Sequence, residues 1–81
     1  MSLAEMLKDI RQKALMSQES FSKALSVSVA TINRWENGRT TPNITAMSKI
    51  KGFCIEKDIP FSELEKLWAE TNRRNSNGTN L

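Results

Sequence analysis

Apolar residues recur near the start of the chain at Leu3, Met6, Leu7, Ile10 and Ala14, the three-and-four spacing of a single helical stripe. Ser2 and Glu5 stand at capping-box spacing ahead of it, so a helix is expected over residues 3–14. In "SQESFSKAL", Ser17 caps a second helix with Phe21 and Leu25 on its inner face, and Ser26 breaks it. "VSVATINRWENGRTTP" predicts a third helix at about 29–37. Ser28 caps it, Ile32 and Trp35 form its buried stripe, Gly38 takes the left-handed exit and Pro42 follows. A fourth helix starts after Asn43, with Ile44, Met47, Ile50, Phe53 and Cys54 facing inward; Gly52 weakens it by about 1 kcal/mol relative to alanine. "KDIP" interrupts the chain, and "FSELEKLWAETNRR" reads as a fifth helix carrying Leu64, Leu67 and Trp68. No stretch alternates with period two for long enough to make a strand. The expected fold is all-α with five helices, residues 1–70 forming one domain and 71–81 a polar, flexible tail.

The second and third helices are separated only by Ser26, Val27 and Ser28, so they must cross steeply as a helix-turn-helix. In that arrangement the second helix of the pair protrudes. Ile32 and Trp35 hold it to the core, which leaves Val29, Ala30, Asn33 and Arg34 on the side that a DNA major groove would meet. Trp35 is therefore assigned to packing and not to base stacking. Truncating it to alanine is expected to cost about 3–5 kcal/mol.

Composition sharpens this picture. Eighty-one residues make one domain with a small core, and 38% hydrophobic with 26% charged residues is a globular balance, not a disordered one. The net charge of +3 is mild, but its distribution is uneven. Residues 1–55 hold eight Lys/Arg against four Asp/Glu, whereas residues 56–81 hold four against five. The positive field thus accompanies the helix-turn-helix. One cysteine, Cys54, excludes an internal disulfide and reads as an inert core residue; without histidine there is no cysteine–histidine metal site. No cofactor and no metal are expected. Neither a membrane-spanning apolar run nor a cleavable leader pattern is present, so the chain is expected to be cytoplasmic.

The segment "MSQESFSKALSVSVATINRWENGRTTP" resembles the helix-turn-helix of the lambda-repressor/Cro-like (XRE) family. Ser17, Gln18, Glu19, Leu25, Val27, Ser28, Ile32, Trp35, Glu36, Gly38 and Pro42 match that pattern in type and spacing. The likeness runs from residue 3 to about 68 and is strongest over 16–42. Three departures stand out. Ser26 replaces the usual glycine, Ser22 replaces the usual alanine between the two helices, and "CIEKDIPFSEL" is about two residues longer than usual. The resemblance implies a five-helix lambda-repressor-like domain that binds double-stranded DNA. It also implies that Gln18 touches both phosphate and the recognition helix, and that Arg11 pairs with Glu36.

Residue chemistry assigns further roles. Gln18 and Ser28 lie at helix N-termini, which favour phosphate. Val29 and Ala30 are short enough to approach thymine methyls, and Arg34 can donate twice to guanine O6 and N7. Thr31 and Asn33 are candidates for phosphate or water-mediated contacts, and Asn37 and Arg39 for gripping the backbone. Arg11, Ile32, Trp35, Glu36 and Gly38 support the site structurally; Lys49 and Lys51 receive no role. Leu64, Leu67 and Trp68 make an apolar edge on the last helix, a candidate homodimer interface on a two-fold operator. The alternative is an antitoxin or adaptor module whose main partner is another protein. Catalysis has little to build on, since there is no histidine and no phosphate-cradling glycine loop.

Overall fold

A computed structural model of the protein describes residues 1–77, with side chains through residue 71. Five helices follow one another: α1 (Leu3–Lys13), α2 (Gln18–Leu25), α3 (Val29–Glu36), α4 (Ile44–Lys57) and α5 (Ser62–Asn77). No strand occurs among the described residues. The all-α, five-helix expectation therefore holds.

Four of the helix starts are built from the capping side chains legible in the sequence. Ser2 Oγ accepts from Glu5 N at 3.1 Å while Glu5 Oε1 accepts from Ser2 N at 2.9 Å, the reciprocal capping box. Ser17, Ser28 and Asn43 accept from Ser20, Thr31 and Ala46 backbone N–H groups at 3.0, 3.1 and 2.8 Å. Each cap satisfies a donor that the first helical turn leaves without a partner.

The connections are less ordinary. Leu15, Ser26 and Asp58 all occupy the left-handed region at φ 56–58°, alongside Gly38 at φ 73°. Ser26 stands in that conformation where glycine is usual in the related pattern, so the α2–α3 turn carries a Cβ in a region that disfavours one. Ser22, buried at the crossing of α2 and α3, returns its hydroxyl to Glu19 O at 2.7 Å and so leaves no unpaired donor in the core.

α2 packs chiefly on α3 and also on α4; α1 packs on α3 and α5. At their centre lie Leu7, Ile10, Phe21, Leu25, Ile32, Ile50, Cys54 and Leu64, with Trp35, Met47 and Phe53 around them. The Phe21 and Phe53 rings meet edge to face at 5.2 Å between centroids. Burial raises the Cys54 thiol pKa, which keeps it protonated and inert.

Three sequence expectations change here. Ile44 does not belong to the inner face of α4: it is 72% exposed. Ala46, Met47, Ile50, Phe53 and Cys54 already occupy the inward arc, and Ile44 at the first position of the helix falls just outside it. Leu64 does not belong to an outer edge for a second copy, because it is fully buried within the monomer core. α5 runs on to Asn77, three residues beyond the stretch "FSELEKLWAETNRR" expected to be helical, since no glycine or proline intervenes before Gly78. The end of the expected tail, residues 78–81, lies outside the described residues.

Candidate nucleic-acid interface

The site is built on α3. Its stripe of Ile32 and Trp35 is buried, at 0% and 5% exposure, and this turns Val29, Ala30, Asn33 and Arg34 to the solvent side. Val29 is about half exposed at 47%, an apolar group that the isolated chain leaves in water. Arg34 and Arg39 are exposed, and among the described residues neither joins an ion pair. Both guanidiniums are therefore available for phosphate or base edges.

Beneath this surface, Arg11 and Glu36 form a bidentate pair between α1 and α3. Arg11 Nε donates to Glu36 Oε2 at 2.7 Å and its Nη2 to Glu36 Oε1 at 3.0 Å, while Nη1 donates to Met16 O at 2.9 Å. The pair suggested by the family resemblance is present, and both side chains are largely buried, at 12% and 4% exposure. Burial alone would raise the Glu36 pKa. Hydrogen bonds from Arg11 and Gln18, with the charges of Arg11 and Lys8, outweigh it and hold the carboxyl below its ordinary range. The hydrogen bond to Glu36 likewise holds the Arg11 guanidinium more firmly protonated.

Gln18, at the start of α2, reaches α3 as expected. Its Nε2 donates to Glu36 Oε1 at 3.1 Å, and its Oε1 accepts from Asn33 Nδ2 at 3.4 Å. Asn37 Nδ2 donates to Asn33 Oδ1 at 3.0 Å. This succession of amides escaped the sequence reading, although Asn33 and Asn37 are four apart and so share one helix face. Ser28 and Thr31 place their hydroxyls 2.9 Å apart, so Ser28 is first a helix cap. Gly38, at φ 73°, releases the chain from α3 towards Arg39.

The apolar edge on α5 is smaller than the sequence suggested. With Leu64 internal, Leu67 and Trp68 remain half-buried, and Trp68 Nε1 donates to Pro42 O at 2.6 Å. That bond pins α5 to the loop leaving α3. Beside it, Ile44, Met47, Phe61 and Trp68 line a shallow groove bordered by Lys51 and Glu65. Among the described residues no helix is long and apolar enough to cross a membrane.

A family model described as helix-turn-helix matches residues 7–51, from within α1 to the middle of α4 and more than half of the chain. Comparison with curated proteins gives no match.

Proposed function

From a chain that belongs to the Cro/C1-type helix-turn-helix (XRE) family of DNA-binding regulatory domains, we propose a sequence-specific regulator that inserts α3 into the major groove. The observation carrying this reading is the division of α3 into two sides. Ile32 and Trp35 are spent on the core, while Val29, Ala30, Asn33 and Arg34 are left to solvent. In this reading Arg34 sets sequence through guanine. Val29 and Ala30 sort thymine methyls from other groups, and Gln18, Ser28, Thr31, Asn37 and Arg39 fix position along the phosphates.

The protein acts as a homodimer on a two-fold operator, with two α3 helices about 34 Å apart, one turn of DNA. The groove holding Ile44, Phe61 and Trp68 supports an association surface, and its Lys51 and Glu65 give it both signs of charge. The same groove supports the second reading, a module whose main partner is a different protein.

Selection of bound sites from random duplexes tests the proposal. Enrichment of a palindrome with half-sites one turn apart is the expected result. Enrichment of no sequence at low salt would overturn it, and binding of a single half-site would remove the dimer.

A further inference from the structure

The hydrogen bonds linking Glu36 to the outer side of α3 have a direction. Glu36 accepts from Arg11 on both oxygens and from Gln18 Nε2 on Oε1. An ionised carboxylate has no proton to return, so Gln18 must turn its nitrogen inward and its oxygen away. That oxygen meets Asn33 Nδ2, and Asn33 Oδ1 in turn meets Asn37 Nδ2. The two ends of a carboxamide are nearly identical in shape, so a row of three could run in either sense. The carboxylate at one end selects between them.

We propose that Glu36 is a positioning residue for base selection: by fixing the sense of the Gln18–Asn33–Asn37 row, it settles which end of each carboxamide is spent within the row and which is left for a base. The proposal rests on α3 entering the major groove. The oxygens of Gln18 and Asn33 each already accept one bond within the row, each amide nitrogen keeps a second N–H for a partner, and at the far end Asn37 Oδ1 accepts from nothing in the row. Asn33 lies exposed beside Arg34, so its remaining N–H suits the acceptors guanine N7 and O6, adenine N7 or thymine O4. A free asparagine grips adenine with both ends at once. Asn33 does so less well, because Asn37 already holds its oxygen.

Glu36 also holds Arg11, so Gln18→Met and Asn37→Ala test the idea without removing that pair. In the free protein, side-chain amide proton resonances report the row directly. Gln18→Met should move the Asn37 resonances although no hydrogen bond joins the two side chains; unchanged Asn37 resonances would overturn the row. Selection of bound duplexes reads the second half of the proposal. Asn37→Ala frees the Asn33 oxygen and should raise the preference for adenine at one position by about threefold to tenfold, the worth of one net hydrogen bond. Enriched sites with the same base preference as the unaltered protein would overturn the positioning role alone. Failure of the unaltered protein to enrich any duplex would overturn the groove reading and this proposal with it.

Discussion

Leu15 is the residue whose place in the chain is least explained by packing. It holds φ 58° with its side chain 93% exposed, so strain in the left-handed region is offset by almost no burial. A Cβ there costs roughly 1–2 kcal/mol, part of which a glycine returns through its freer unfolded chain. Leu15→Gly is expected to stabilise the protein by about 1 kcal/mol. It should appear as a higher urea midpoint with an unchanged slope. On the proposed DNA face, two arginines of equal charge are expected to behave differently. Arg34→Ala should lose about 1–3 kcal/mol mostly at one base pair, whereas Arg39→Ala should weaken all duplexes alike and lower the salt slope by about 1. Titrations against operator variants distinguish them, and equal losses across all variants for Arg34→Ala would remove its reading role.

Between elements, the decisive contact joins α1 to α3 through Arg11 and Glu36. Removing one member leaves a charge stranded in a largely buried place, which costs 3–5 kcal/mol for a fully buried pair. Arg11 keeps an edge in water, so Arg11→Met is expected to cost about 2–3 kcal/mol, measured by denaturant unfolding at neutral pH. The pair also sets an acid limit. Because folding lowers the Glu36 pKa, its contribution is complete above the ordinary glutamate value of about 4.3 and fades as pH falls through and below it. In Arg11→Met the burial of Glu36 meets less opposition, so the loss of stability on acidification should shrink or change sign. A second joint, Trp68 on Pro42, fastens α5 to the exit of α3. Trp68→Phe keeps most of the ring and deletes the donor. A loss of about 1 kcal/mol is expected, with faster amide exchange along α5 as its local signature.

For the whole molecule, the uneven charge along the sequence becomes a directional property. The excess of Lys/Arg in residues 1–55 accompanies the helices that build the proposed interface, while α5 and its approach carry the excess of Asp/Glu. Binding is therefore expected to weaken linearly in log–log form as salt rises, because phosphate neutralisation releases counterions. Sedimentation of the protein on a selected palindrome should give two chains per duplex. One chain per duplex at saturation would count against the dimer. The groove beside Trp68 is the surface to alter first, through Ile44, whose side chain contributes to no core.

The sequence by itself determined where four of the five helices begin and, for α1 to α3, which side is buried. Caps such as Ser17, Ser28 and Asn43 act on donors within one turn, and the Ile32–Trp35 stripe repeats at the period of the helix. Such information is local, and it survives in the order of residues. Resemblance to a family pattern supplied the Arg11–Glu36 pair, which spans 25 residues and follows from no periodicity. Only the tertiary structure decided the rest: that Leu64 is interior, that Ile44 faces water, and that Gln18, Asn33 and Asn37 form one row ending on Glu36. Each of these depends on how helices cross. A hydrophobic or amide side chain looks the same in sequence whether a neighbouring helix covers it or leaves it bare.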